Sequence, residues 1–202
     1  MQKIVLKTAL TTVVAVIIAL ILAFGIASLG FPQSMASMCA KYGNYRFATS
    51  YASLRYAYTK SVDDLDVCAK YSILSKHDGN IVKFCGQLVE NEGFDTLGAK
   101  IIVVEVNDVE HEVAYKQYIC GNLSAAQYRR GDTQKAVATA ENAMEDETEF
   151  TFGNAFVTLS TEVYKKTDKA TAQQILDIIT AKNYAATETY TAVINVLQEL
   201  TA

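Results

Sequence analysis

The chain has 202 residues, which suits a terminal segment followed by one domain large enough to bury a core. Its formal net charge is −4, and because Lys3 and Lys7 are the only charges before Pro32, the rest of the chain is more acidic still. An acidic domain without a Lys/Arg cluster is a poor match for nucleic acid, so we expect no nucleic-acid partner. A single proline, no tryptophan and many alanines favour an all-α fold over a sandwich or barrel.

The N-terminal segment is uncharged from Thr8 to Ala40 and strongly apolar over 9–31. A helix needs roughly 20 apolar residues to cross about 30 Å of hydrocarbon. We therefore predict a short basic lead over 1–8, a transmembrane helix over 9–31 and a helical domain over 32–202.

A cleaved signal peptide is the alternative, but its apolar core usually covers only about 7–15 residues. We favour a retained anchor in the cell membrane. A short basic lead normally stays inside and long domains translocate largely regardless of charge, so we expect the N-terminus in the cytoplasm and the domain outside.

Small residues recur every fourth position along the predicted anchor and share one helical face. Small faces let membrane helices approach closely, which favours packing against a second copy or against another subunit of a membrane complex. The alternative is that alanine is simply common in such segments. The residues are Thr11, Ala15, Ala19, Ala23 and Ala27.

Tyrosines are concentrated just after the anchor, beside Arg46 and Arg55, and an acidic run at Asp63-Asp64 fits a helix start. Tyrosine and arginine are favoured at protein–protein contacts. Packing between helices, with the hydroxyl left in water, is the alternative interpretation. The tyrosines are Tyr42, Tyr45, Tyr51, Tyr56, Tyr58 and Tyr71.

The segment from Thr96 to Asn107 is predicted as a helix, although its β-branched run Ile101–Val104 is also typical of a strand. His111 follows among three glutamates, and we expect it on a solvated helix face. The two histidines lack the spacing of a metal site, so none is predicted.

The clearest pattern lies over 118–144, where two helices are separated by Gly131-Asp132 and alanines recur on one face of the second. This pattern resembles the tetratricopeptide repeat, a helix-turn-helix unit of about 34 residues. In that family a small residue in the first helix precedes the turn, and two alanines follow it. The matching residues here are Ser124, Gly131, Ala136 and Ala143.

The same frame fits three further turns, at 60–61, 93–94 and 167–168, each about one repeat from the next. The resemblance implies an α-solenoid of about four degenerate helical hairpins. A helix over 187–200, with Tyr190, Val193, Ile194 and Leu197 on one face, would cap it. The small residues seven positions before the four turns are Ser53, Gly86, Ser124 and Ser160.

The four cysteines, Cys39, Cys68, Cys85 and Cys120, include no CxxC pair. A disulfide between neighbouring helices, for instance Cys39 to Cys68, is one interpretation. We favour buried small side chains, because cysteine is among the most buried residue types. No nucleotide, metal or nucleophile motif is present, so we expect no cofactor and no enzymatic activity.

Helical arrays present concave surfaces built from their first helices. The resemblance therefore implies a membrane-anchored scaffold that binds a protein or peptide partner along 45–58, 81–90, 117–130 and 152–165. A structural subunit of a larger membrane complex is the alternative, and an unrecognised enzyme is less favoured. The candidate partner-binding residues are Tyr51, Arg55, Tyr58, Gln127 and Arg130.

Overall fold

The computed structural model describes residues 2–106, 108–182 and 184–202, with the side chains of these residues except those of 2–11, 24 and 28. Thr11 of the small-residue stripe and the lysines of the basic lead therefore lie outside the described side chains. The described chain is all-α apart from one two-stranded sheet, as the composition predicts. Its elements are α1 (Gln2–Gly30), α2 (Pro32–Lys41), α3 (Tyr45–Thr59), α4 (Val62–Leu74), α5 (Asp78–Val89), α6 (Phe94–Gly98), β1 (Ile101–Val106), β2 (Val109–Ala114), α7 (Tyr115–Arg129), α8 (Thr133–Ala143), α9 (Ala155–Lys165), α10 (Lys169–Lys182) and α11 (Glu188–Thr201).

The chain divides into two compact units, the first ending at Tyr71 and the second running from Ser72 to Ala202. In the first unit, α2 begins at Pro32, a residue suited to the first turn of a helix because it needs no donor there. Helix α2 packs against α3, and α4 carries Asp63 and Asp64 in its first turn, as the sequence predicts. The predicted domain limits at 8–9 and 31–32 stay predictions.

Helix α1 exposes large apolar side chains, among them Val13, Leu20, Ile21 and Ile26. Across the residues whose side chains are described, no single helix is both long and apolar enough to span a membrane. The segments Thr12–Ala27 and Pro32–Lys41, bent by 104° with respect to each other, reach the required length and composition only together.

In the second unit, α5, α7 and α9 lie side by side, because α7 packs against α5 and against α9. Helix α8 packs against α7 and α9, and α10 packs against α9 and α11. The expected turns interrupt the helices, with Gly131 at φ 91° and Thr167 at φ 51°. Helix α11 buries Val193 and Leu197, so the predicted C-terminal helix is confirmed.

The helix predicted over 96–107 is wrong. Helix α6 ends at Gly98, and β1 pairs antiparallel with β2 from Ile101↔Ala114 to Val106↔Val109. The β-branched run of β1 fits a pleated surface better than a helix, since branched side chains crowd the preceding helical turn.

His111 therefore lies in a strand and not on a helix face. Its ring is half-buried and stacks on Phe152, with the ring centroids 3.8 Å apart. The expectation of a solvated helical histidine is corrected, because the strand pairing turns this side chain toward the body of the second unit.

Candidate interaction groove

A groove of about 420 Å³ opens in the second unit between α5, α6, α7 and α8. We call it the α5–α8 groove. Its apolar lining includes Val82, Gly86, Val89, Phe94, Cys120 and Leu123. Its polar lining includes Glu90, Asp95, Lys116, Gln127, Lys135 and Asn142.

Helices α7 and α8 run antiparallel along the groove, and two glutamines fix their register. Gln117, near the start of α7, donates through Nε2 to the carbonyl of Ala143 at the end of α8, at 2.7 Å. Thr139 in α8 donates to Oε1 of Gln127 near the end of α7, at 2.9 Å. Both glutamines are buried, so losing either partner would leave a costly unsatisfied polar group.

Helix α5 also runs antiparallel to α7, because Arg129 at the end of α7 pairs with Asp78 at the start of α5. The Nη2–Oδ1 distance is 2.7 Å, and Nε of the same guanidinium donates to the carboxylate at 3.0 Å. The hydrogen bond to Asp78 is the largest of the causes that raise the pKa of Arg129. Bidentate pairing of this kind fixes orientation as well as charge.

The groove is open beside a second helix that is cut short. Helix α8 covers the junction of α7 and α9, but between α5 and α7 the chain forms only the five-residue α6 before leaving as β1. A Cβ at Gly98 would lie 3.2 Å from Cβ of Lys116, so α6 ends beside the start of α7. The space along the rest of α5 and α7 stays open.

Cys120 contributes an apolar wall and not a reactive thiol. Burial raises the pKa of Cys120 to about 12, and the nearby Lys116 only partly opposes this. The thiol is therefore neutral at physiological pH, whereas a nucleophile would need to be the thiolate. Cys68 and Cys85 are buried as well and Cys39 is half-buried, in keeping with the favoured interpretation of the cysteines as thiols.

The five predicted partner-binding residues fall in both units. Tyr51, Arg55 and Tyr58 lie on α3 in the first unit, whereas Gln127 lines the α5–α8 groove and Arg130 is exposed at the end of α7.

Of the three on α3, Tyr58 is the most accessible, at 73% exposed, and Tyr51 is half-buried. Arg55 is engaged within the first unit: Nε lies 2.6 Å from Oδ1 of Asp64, and Nη1 donates to Gln33. Arg55 therefore has an evident structural role.

A second cleft, of about 360 Å³, lies between the sheet, α7 and α9. Val104, Val113, Tyr118 and Phe152 contribute to its lining. A Cβ at Gly153 (φ 79°) would lie 2.8 Å from Val113, so this glycine permits the close approach of the sheet. This cleft was not predictable from the sequence, because a helix was expected in place of β1.

The predicted alanine stripe lies on an accessible part of α1. Ala15, Ala19 and Ala23 are exposed and Ala27 is half-buried. In the part of the chain that is described, no three histidine, cysteine or acidic side chains are grouped so that they could hold a metal ion.

No protein-family model matches this chain, and neither a curated protein nor a solved structure matches it.

Proposed function

We propose that this protein is a membrane-anchored, tetratricopeptide-like scaffold that binds another protein through the α5–α8 groove. The observation that carries the proposal is an apolar groove with a charged rim, left open where a second helix is cut short. Grooves of this composition between helices are common ligand sites.

The packing in the second unit supports the repeat-like part of the proposal. Helices α5, α7 and α9 correspond to the first helices of successive hairpins, and α8 and α10 correspond to second helices. Ser124, Ala136 and Ala143, the small residues of the motif, are all buried, as close helix packing requires.

The apolar surface of α1 supports the anchor. A contiguous apolar surface of this size marks a membrane or protein contact. The uncharged segment begins at Thr8, four positions before the first described side chain, and continues to Ala40. We propose a single-pass cell-membrane protein with its N-terminus in the cytoplasm and both Tyr58 and the α5–α8 groove outside.

A test of the proposed function compares three tagged full-length chains in native membranes: wild type, Gly86→Leu and Gln174→Leu. Leucine at 86 fills the groove, whereas Gln174 lies exposed on α10 and controls for the added apolar surface. After cross-linking and capture, we expect at least one partner to be lost with Gly86→Leu and retained with Gln174→Leu. Identical partners with all three chains would contradict groove binding.

The second candidate is a structural subunit of a membrane complex, favoured by the exposure of Ala15, Ala19 and Ala23. Ala19→Leu with Ala23→Leu would widen this face and block close helix packing. Loss of co-purifying membrane proteins with this double variant, while Gly86→Leu retains them, would favour the subunit function.

A further inference from the structure

We propose that the α5–α8 groove binds one amphipathic α-helix of a partner protein, with the N-terminus of that helix beside Glu90 and Asp95 and its C-terminus beside Lys135. The proposal rests on the proposed function and specifies the partner of the same groove. It also predicts the direction in which the partner binds.

The packing of the unit indicates that a helix fits the space. Helix α8 lies along α7 and α9. In the repeat frame, a second helix following α5 would lie along α5 and α7 in the same manner. Helix α6 stops after five residues, and the chain turns away at Gly98. Because α8 forms one wall, an added helix would contact α5, α7 and α8 together.

Gly86 marks the floor of the vacant position. In the repeat frame it corresponds to Ser124 and Ser160, which are 0% and 3% exposed in α7 and α9. At Gly86, in contrast, an added Cβ would meet no described atom within 4 Å, and the residue lines the groove. The position that is covered in the two following hairpins is therefore open in this one.

The lining matches the side chains of a helix with one apolar face. Val82, Gly86 and Val89 lie on α5 at spacings of three and four, and Leu123 lies opposite on α7. A docked helix would meet these rows with apolar residues at i, i+3 or i+4, and i+7, which is the usual pattern of helix-in-groove recognition.

The charges at the two ends of the groove give the direction. Glu90 ends α5 and Asp95 lies in the first turn of α6, at the end of the groove where α7 begins. Lys116 at this end already faces Asp146 at 3.7 Å. Lys135 lies in the first turn of α8, at the opposite end, and forms no ion pair with a described residue.

A helix carries partial positive charge at its N-terminus and partial negative charge at its C-terminus. The acidic end therefore favours the N-terminus of the occupant, and Lys135 favours its C-terminus. This direction is also that of a second helix returning antiparallel to α5, as in a helical hairpin. The uncharged segment 8–40 of this chain offers no side chains to match these charges, which argues for a partner helix over α1.

The test uses the full-length chain in nanodiscs and two fluorescent, hydrocarbon-stapled helical peptides with leucines at i, i+3 and i+7. The matched peptide has lysines in its first turn and glutamates in its last turn, and the reversed peptide exchanges them. Fluorescence anisotropy measures binding to wild type, Gly86→Leu, Lys135→Glu and Gln174→Leu. Empty nanodiscs correct for binding to lipid.

We expect the matched peptide to bind wild type and the Gln174→Leu control equally. Gly86→Leu should weaken this binding by about tenfold or more, because the leucine occupies the groove. Lys135→Glu should weaken it about fivefold and should strengthen binding of the reversed peptide, because the charge at that end changes sign.

Equal binding of both peptides, unchanged by Lys135→Glu, would overturn the proposed direction. Failure of every peptide, with Gly86→Leu still abolishing partner capture in membranes, would overturn the helical occupant and leave the proposed function standing. If peptide binding depends on Gly86 while partner capture in membranes does not, the groove accepts a helix but the proposed function is overturned. A wild-type dimer that becomes monomeric with Gly86→Leu would assign the groove to a second copy and overturn the proposal.

Discussion

Two glycines inside helices of the second unit differ in the space beside them: Gly86 has open space and Gly121 is tightly packed. A Cβ at Gly86 would point into the α5–α8 groove, whereas a Cβ at Gly121 would lie 3.0 Å from Oγ1 of Thr158 and 3.3 Å from Cα of Ala155. Gly86 thus has only the entropic cost of glycine in a helix, while Gly121 permits the close approach of α7 and α9.

We expect Gly86→Ala to raise the free energy of unfolding by about 0.5–1 kcal/mol, because alanine is the better helix former and meets no neighbour. We expect Gly121→Ala to lower it by about 1–3 kcal/mol through overpacking against the backbone of α9. Denaturant unfolding of both variants in the same nanodiscs measures the pair. A loss of stability with Gly86→Ala would mean that the groove is occupied within the chain itself.

At the same scale, the direction in which a helical side chain points was not predictable from the sequence. Gln127 is predicted as a groove residue, and it lines the α5–α8 groove as a buried side chain that accepts a hydrogen bond from Thr139. Arg130 is the predicted partner-binding residue, whereas Arg129 forms the ion pairs with Asp78 and Glu162. Successive residues of a helix differ by about 100° in direction, so placing either arginine required the packing of α5 and α9 on α7.

Among the elements, Asp168 shows how local chemistry starts a helix of the second unit. It directly precedes α10, where Oδ1 accepts from the backbone N–H of Thr171 at 3.1 Å and Oδ2 accepts from the hydroxyl of the same residue. Oη of Tyr128 in α7 donates to Oδ2 at 3.0 Å. The bonds from Thr171 are the largest cause that lowers the pKa of Asp168, and burial, then the bond to Asp168, raises the pKa of Tyr128 to about 12.

Replacing Asp168 by alanine should cost about 1–2 kcal/mol at pH 7, because the helix loses its cap and Tyr128 loses its acceptor. The pKa of the carboxyl is depressed in the folded state, so its contribution is present above the unfolded value of about 4 and is lost as pH falls through the folded value. Asp168→Asn keeps a capping oxygen without this titration. Its stability difference from wild type should therefore shrink below about pH 4 in thermal unfolding, and a constant difference down to pH 2 would contradict the role of the carboxylate.

The elements also show where sequence patterns were sufficient. The turn at Gly131-Asp132 and the helix of 187–200 were predictable because glycine, capping residues and helical spacing agree there. The structure of segment 96–107 was not predictable in the same way, because the repeat frame favoured a helix while Ile101–Val104 favoured a strand. Asn107-Asp108, between two β-branched runs, was the available hairpin signal.

The groove belongs to the whole second unit and follows from that same segment. A repeat frame predicts helices of equal length, so it predicts a closed wall between α5 and α7. The wall is open because α6 stops at Gly98 and the chain continues as a strand. Such a vacancy depends on long-range packing, and periodicity along the sequence carries little information about it.

The orientation of the proposed anchor can be tested through one cysteine. Cys39 is half-buried and lies in α2, shortly after the uncharged part of α1, whereas Cys68, Cys85 and Cys120 are buried. If the domain lies outside the cell, a membrane-impermeant maleimide should label Cys39 in intact cells without unfolding, because the other thiols are shielded. The variant Cys39→Ser should abolish this rapid labelling and serves as the matched control.

Membranes washed with carbonate should retain the full-length chain, since an apolar helix anchors far more firmly than a peripheral contact. Rapid labelling of Cys39 only after the membrane is opened, together with retention in the washed membrane, would place the domain in the cytoplasm and reverse the proposed orientation. Release of the chain by carbonate would contradict the proposal that α1 is a membrane anchor. The apolar surface of α1 would then need a protein partner to cover it, because exposed apolar surface of this extent is unfavourable in water.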